Sequence, residues 1–194
     1  AAIVQGGFAR VTEKGNIVKR TRRKEGRLEF SQLTGFPCMK IIKSEYVKSI
    51  YFPLDYYFED SVMSMIVFAL IKKNNAKVYG VDKIIYYYRY NPKGIYQTAK
   101  ISPKSIDTLY ITYQLHEDRK LYELSNTRSY YEFILYTIKL SYSRTRTVQE
   151  DINKAIFVMF SAFLKENFQD FLSDNCKKTM LEKSFIEKNY NLYI

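Results

Sequence analysis

The pattern of apolar and polar positions divides the chain into two parts of different character. In residues 1–102, short runs of β-branched and aromatic residues alternate with turn residues, and this part contains every Gly. In residues 103–194, apolar residues recur at the three- and four-residue spacing of amphipathic helices. The pattern therefore predicts a mixed α/β domain followed by a helical extension.

The first part is predicted to open with a β-hairpin. Ile3–Val11 is typical of a strand and Ile17–Val18 of its partner, while Glu13–Asn16 supplies a turn in which Gly and Asn tolerate positive φ. Two further strands, rich in β-branched and aromatic residues, are expected at Lys77–Val81 and Ile84–Tyr90. A pair of charged residues is expected to separate these two strands.

A helix is predicted to run from Glu59 and Asp60 to about Lys73. Its apolar residues keep the i, i+3, i+4 spacing of a buried face: Val62, Met63, Ile66, Val67, Leu70 and Ile71. Acidic residues in the first turn and lysines in the last turn both interact favourably with the helix dipole.

Three long helices and several short ones are predicted in the second part. Their apolar positions lie within residues 109–115, 130–140, 152–164, 168–172 and 180–186. Many of these positions are Tyr or Phe. At helical spacing such aromatic residues are expected to form a core.

Composition narrows the class of protein and the class of partner. A hydrophobic fraction of 46% and a charged fraction of 26% exclude a disordered or fibrous chain. The net charge of +11 points to anionic partners such as phosphates, nucleic acid or an acidic membrane surface. Much of this charge lies in Lys14–Arg27, which has seven basic residues and one acidic residue. This basic run is either a solvated loop or a loop that faces phosphate or membrane.

Other classes of site are excluded by residue usage. Cys38 and Cys176 lie far apart, which argues against a disulfide scaffold or a zinc site and favours a reducing compartment. His116 is the only histidine, so a His-based metal cluster is excluded, and its polar neighbours predict a position on a helix surface. The longest apolar run, 62–71, is much shorter than the roughly 20 residues of a membrane span. No glycine-rich phosphate-binding motif is present.

The motifs around Glu59 and Asp60 indicate a role for these residues beyond starting a helix. Alone, two acidic residues at a helix start are explained by capping and the helix dipole. Here KIIK (Lys40–Lys43) and IYFP (Ile50–Pro53) precede them, and IIYYYRY (Ile84–Tyr90) follows. Together with the opening AAIVQGGFARV, this ordered set resembles the second half of the catalytic domain of family 2 glycosyltransferases. These enzymes, of the GT-A type, extend bacterial surface polysaccharides.

The resemblance implies a role for each acidic residue. In that family the Asp of an x-Glu-Asp motif is the general base that takes the proton of the acceptor hydroxyl, which implies this role for Asp60. Glu59 is then expected to orient the acceptor or Asp60. Arg89, at a strand end, is expected to reach the donor diphosphate as its charge develops.

The resemblance also implies contacts for several lysines and a division of the chain. Lys40 is expected to bind donor or acceptor, as is Lys93, while Lys100 is a weaker candidate in or after the same loop. Residues 1–102 are expected to form the acceptor-side half of a GT-A-like domain, and 103–194 its helical extension.

One departure from the family limits these expectations. The donor site of the family carries an Asp-x-Asp metal-binding pair, and this chain has no such motif. The chain is therefore expected to be part of a longer enzyme and to be inactive alone. A nucleotide-sugar and a divalent cation, Mg or Mn, are implied only for the full-length enzyme, with no metal ligand in this chain. A glycan or lipid-linked acceptor and an anionic membrane surface are the other expected partners, at the cytoplasmic face of the membrane.

The alternative interpretation is a nucleic-acid-binding module. It draws on the net charge, the basic run and the abundance of aromatic residues, 19 Tyr and 13 Phe. Against it, the aromatic residues fall at core spacings and no recognised module motif is present.

Overall fold

The computed structural model describes residues 1–99, 102–174 and 178–193. It confirms a mixed α/β protein, with 50% helix, 17% strand and a curled sheet. The chain forms two compact units. The sheet unit comprises Ala1–Leu54, Glu59–Gly94 and Asp118–Leu124, and the helical unit comprises Asp55–Phe58, Ile95–Glu117 and Ser125–Ile194.

The sheet unit is organised around its first strand. The strands are β1 (Ile3–Val11), β2 (Ile17–Thr21), β3 (Gly26–Leu28), β4 (Lys40–Ile42) and β5 (Val78–Arg89). Their order is β2-β1-β5-β3, and β4 also pairs with β1. Because β5 lies parallel along one edge of β1, the antiparallel strands β2 and β4 follow one another along its other edge.

The predicted hairpin is confirmed. Phe8 to Val11 of β1 pair antiparallel with β2, and the N–H of Thr12 donates to the carbonyl of Asn16 at 2.9 Å. Gly15 takes the positive φ of 84° that the turn requires.

The basic run is a loop only in part. Half of its fourteen residues lie in β2 and β3, and the others form the hairpin turn and a short connection between the two strands. The strand that contains Ile17 and Val18 extends to Thr21, further than predicted, because the edge of β1 is available for pairing. The charged residues of β2 are exposed, which protects this edge from pairing with another chain.

The two strands predicted at the end of the first part form one continuous strand, β5. The predicted break corresponds to an irregularity in pairing, since Gln5 pairs with Gly80 but Gly7 pairs with Ile84. β5 therefore has extra residues at this point and bulges without ending. The C-terminal part of β5 is exposed on both faces.

The helix predicted up to Lys73 is confirmed, but its middle is wider than an α-helix. Helical structure begins at Ser61, passes through a π-helical segment (Met63–Val67) and continues as α1 (Phe68–Lys73). The wide turn buries Met65 and Phe68 in addition to the predicted face, whereas Leu70 is only half-buried.

The helical unit contains one short helix that was not predicted, α2 (Ile95–Thr98). It also contains the helices predicted in the second part, which are α3 (Asp107–Leu121), α4 (Arg128–Thr145), α5 (Glu150–Asn167), α6 (Gln169–Ser173) and α7 (Met180–Ile186). The end of α3 is assigned to the sheet unit. Aromatic side chains form much of the core, as predicted: Tyr130, Tyr131, Phe157, Phe160, Phe163, Phe168 and Phe185 are buried.

The predicted surface position of His116 is wrong, because only 4% of the residue is exposed. Asn167 donates through Nδ2 to the carbonyl of Phe163 at 2.9 Å, so its Oδ1 accepts from Nε2 of His116 at 3.0 Å. Nδ1 of the same ring then accepts from the hydroxyl of Tyr130 at 3.0 Å. Polar neighbours misled the prediction because successive helical residues point about 100° apart.

Candidate active site

Glu59 and Asp60 lie at the start of the helical segment. The carbonyl of Glu59 accepts from the N–H of Val62 at 3.2 Å, and that of Asp60 accepts from the N–H of Met63 at 3.0 Å. The side chain of Glu59 is exposed, whereas Asp60 is half-buried. The two neighbouring carboxylates therefore have different exposure to solvent.

The segment just before these carboxylates, Asp55–Phe58, belongs to the helical unit and is fixed there. The N–H of Tyr57 donates to Oδ2 of Asp107 at 2.8 Å. The guanidinium carbon of Arg144 lies 3.4 Å from the centre of the Phe58 ring. Phe58 has a φ of 68°, a conformation that costs free energy for a bulky residue and is concentrated at functional sites.

Lys40 begins β4 and lies opposite Gln5 of β1 in the antiparallel register. Its ammonium donates to the hydroxyl of Thr34 at 2.7 Å and to the carbonyl of Phe36. Its Nζ also lies 5.8 Å from the centre of the Phe68 ring. Groups from the loop before β4 and from α1 thus hold the ammonium in place.

Lys40, Cys38, Asp60 and Arg23 share one electrostatic neighbourhood, here called the Lys40 cluster. Burial lowers the pKa of Lys40 to about 8; Cys38 and Asp60 oppose this shift, and Arg23 adds to it. Burial raises the pKa of the Cys38 thiol, Lys40 lowers it and Asp60 raises it. Lys40 and Asp60, twenty positions apart in the sequence, therefore lie within electrostatic reach of each other.

Two residues that the sequence did not indicate support this cluster. Gln5 is fully buried, and its Oε1 accepts from the N–H of Thr34 at 2.9 Å and from the Thr34 hydroxyl at 3.1 Å. Its Nε2 donates to the carbonyl of Gln32 at 3.3 Å. Because the Thr34 hydroxyl in turn accepts from Lys40, Gln5 fixes the partner that holds the ammonium.

Arg89 and Lys93 lie apart from the Lys40 cluster. Arg89 ends β5 opposite Val11, and its exposed side chain forms no ion pair with any residue that the structure describes. Lys93 lies in the following turn, where its N–H donates to Oδ1 of Asn91 at 3.0 Å. Neither cation affects the pKa of Lys40. Lys100 lies outside the described residues.

The described residues do not fit the Mg or Mn ion that the glycosyltransferase resemblance implies for a longer enzyme. Within residues 1–99, 102–174 and 178–193, no group of three or more His, Cys, Asp or Glu side chains could hold a metal ion. Cys38 is a free thiol, and Cys176 lies outside the described residues.

Comparison with known proteins gives no relative. No protein-family model, curated protein or solved structure matches the chain. In the part of the chain that the structure describes, no helix is both long and apolar enough to cross a membrane. The function proposed below therefore rests on the residues and their geometry.

Proposed function

We propose that this chain is the acceptor-side part of an inverting glycosyltransferase with a GT-A-like domain. Its reaction is transfer of a sugar from a nucleotide-sugar to a hydroxyl of a surface polysaccharide or a lipid-linked oligosaccharide, at the cytoplasmic face of the membrane. The observation that carries this proposal is that Lys40 packs against the helical segment that starts after Asp60, with its Nζ 5.8 Å from the centre of the Phe68 ring. Asp60 and Lys40 belong to two separate motifs of the resemblance, x-Glu-Asp and KIIK.

The local backbone around Asp60 supports a functional role. A π-helical segment directly follows the first helical turn, and such segments occur frequently at functional sites. Buried side chains of that segment, including Met63 and Met65, anchor it in the core of the sheet unit. Asp60 is therefore attached to a rigid support, as positioning a general base requires.

In the proposed reaction Asp60 accepts the proton of the acceptor hydroxyl. The hydroxyl oxygen forms a bond to the anomeric carbon while the bond from that carbon to the nucleoside diphosphate breaks. Attack from the opposite face inverts the configuration at this carbon. Lys40 supplies positive charge beside the base, where it can bind an anionic group of a substrate. The donor half and its cation are assigned to the rest of the complete enzyme, and no step here uses a metal.

The test is Asp60→Asn in the protein encoded by the complete reading frame. Asparagine keeps the size of the side chain but cannot accept the proton, so transfer should fall by about 10²–10⁴-fold. Nucleotide-sugar affinity should remain close to that of the wild type. Glu59→Gln is the matched control, because it changes the adjacent exposed carboxylate and should cost much less activity.

Circular dichroism and thermal unfolding of both variants separate catalysis from folding. A folded Asp60→Asn enzyme with near-normal turnover would show that Asp60 only starts the helix. In that case the glycosyltransferase proposal loses its central residue.

A further inference from the structure

Basic residues converge on one surface depression of the sheet unit. This basic depression has a volume of about 410 Å³ and is lined by Arg22, Arg23, Lys24, Leu28, Ser31, Gln32, Leu33 and Thr34. Three of these residues are cationic and none is acidic. The volume is within the range of small-molecule sites, which is roughly 300–1,000 Å³.

The cations of the depression have spare hydrogen-bonding capacity. Among the residues that the structure describes, Arg22 forms one ion pair, with Asp82 at 3.3 Å. Nε of Arg23 is buried and has no hydrogen-bond partner among the described residues. Lys24 is exposed and forms no ion pair within the part of the chain that the structure describes. The site therefore offers several unused N–H donors and net positive charge.

The basic depression is continuous with the Lys40 cluster. Thr34 lines the depression, and its hydroxyl accepts the hydrogen bond from Lys40. Arg23 also lines it and is close enough to Lys40 to lower the pKa of that residue. A ligand bound in the depression would thus lie beside the cluster that contains Asp60.

The donor set favours a phosphate over other anions. Guanidinium groups match the geometry of phosphate oxygens, and a phosphate has enough oxygens to use several donors at once. A carboxylate, with two oxygens, would leave part of this set unused. The neutral hydroxyl of Ser31, also exposed in the lining, can donate to the same group.

We infer that the basic depression binds a phosphate group carried by the acceptor, so that the preferred acceptor is a phosphorylated sugar or glycan. This inference rests on the proposed glycosyltransferase function, and it names the class of acceptor. Phosphate bound by Arg23 and Lys24 would hold a neighbouring acceptor hydroxyl near Asp60.

Binding of glucose 6-phosphate to the full chain tests the site directly. Amide resonances of Ser31 to Thr34 should shift with glucose 6-phosphate, and much less with glucose or glucuronate. Arg23→Gln/Lys24→Gln should weaken binding by about tenfold or more, since two charge-assisted hydrogen bonds are lost. The matched control is Lys14→Gln/Lys19→Gln, which removes the same charge from the same run outside the depression and should change affinity by less than about twofold.

Several results would overturn the inference. One is equal binding of glucose and glucose 6-phosphate, and another is unchanged affinity in Arg23→Gln/Lys24→Gln. Phosphatidylserine vesicles test a lipid source: vesicle binding that is lost in Arg23→Gln/Lys24→Gln, without any binding of glucose 6-phosphate, would assign the depression to a membrane surface instead. Tight binding of single-stranded DNA at physiological salt, lost in the same variant, would favour the nucleic-acid-binding alternative.

Kinetics of the complete enzyme separate this inference from the proposed function. The inference predicts that Arg23→Gln/Lys24→Gln raises KM for a phosphorylated acceptor much more than KM for its unphosphorylated form. Sugar transfer with equal KM for both acceptors would overturn the inference while the proposed function stands. If glucose 6-phosphate binds in the depression but the complete protein transfers no sugar, the proposed function fails and the acceptor assignment fails with it.

Discussion

The ammonium of Lys40 donates a hydrogen bond of 2.7 Å to the hydroxyl of Thr34. Thr34 is itself held by the buried amide of Gln5, so the cation belongs to a chain of hydrogen bonds that starts inside the sheet. Burial and fixed geometry, rather than a flexible surface position, therefore determine the properties of this lysine.

Lys40 should titrate with a midpoint near pH 8, because burial lowers its pKa to about 8. The measurement is the pH dependence of its side-chain ¹³Cε resonance. Between about 8 and the usual lysine value of 10.5, the unfolded chain holds a proton that the folded chain has lost. Lys40 therefore contributes a rise in the free energy of unfolding with increasing pH over this window, and Lys40→Met should abolish that rise.

Substitutions in the Lys40 cluster should move this midpoint in opposite directions. Asp60→Asn removes a carboxylate that favours the ammonium, so the pKa of Lys40 should fall further. Arg23→Gln removes a repelling cation, so the pKa of Lys40 should rise. Glu59→Gln should leave it unchanged. The same NMR titration measures all three, and identical midpoints would show that these residues do not form one cluster.

Gln5→Ala should destabilise the sheet unit by about 2–4 kcal/mol, because it leaves the N–H of Thr34 and the carbonyl of Gln32 without their partner. Urea unfolding measures the change. Lys19→Ala, on the exposed face of β2, is the control and should be nearly neutral. A loss below about 0.5 kcal/mol for Gln5→Ala would mean that water replaces the amide without cost.

Tyr131 and Glu182 provide a prediction for the helical unit. The buried hydroxyl of Tyr131 donates to Oε1 of Glu182 at 2.9 Å. Burial raises the pKa of Glu182, but hydrogen bonds from Thr179 and Tyr131 outweigh it and hold the pKa below its usual value of 4.5. Tyr131→Phe should therefore reduce the free energy of unfolding at pH 7 by about 1.5–3 kcal/mol.

The pH dependence distinguishes this hydrogen bond from general packing. A carboxyl group with a lowered pKa stabilises the fold above its unfolded pKa and loses this effect as pH falls through its folded pKa. The difference between wild type and Tyr131→Phe, measured by urea unfolding, should shrink on acidification below pH 4.5. A difference that is the same at every pH would assign the effect to the loss of packing.

Local patterns predicted most of the secondary structure because they depend on neighbouring residues. The β1–β2 hairpin follows from its turn, and α4 and α5 follow from apolar spacing. The continuity of β5 was not predictable, because the strand conformation across its bulge depends on pairing with β1, which is distant in sequence. The burial of His116 also depends on partners distant in sequence, Tyr130 and Asn167.

Part of the candidate site was accessible from sequence. Asp60 and Lys40 were indicated by a resemblance of motifs, but nothing in their spacing predicted that they share an environment. The burial of Gln5 could have been predicted from the strand pattern. Gln5 occupies the same face of β1 as Ile3, Ala9 and Val11, all of which are buried. A polar residue at a core-facing strand position requires partners. Those partners, Thr34 and Gln32, lie in a loop whose path the sequence did not specify.

The π-helical segment Met63–Val67 has a consequence for how this stretch can vary in length. It contains one residue more per turn than the α-helix that follows, and the extra width sets the rotation of Asp60 relative to the core contacts of Phe68 and Ile71. Deleting a single residue here would convert the segment to an ordinary helix and turn Asp60 by about 100° around the axis. Homologous chains in which the Asp60 carboxylate has the same role should therefore tolerate substitutions between Asp60 and Phe68. They should not tolerate single-residue insertions or deletions there.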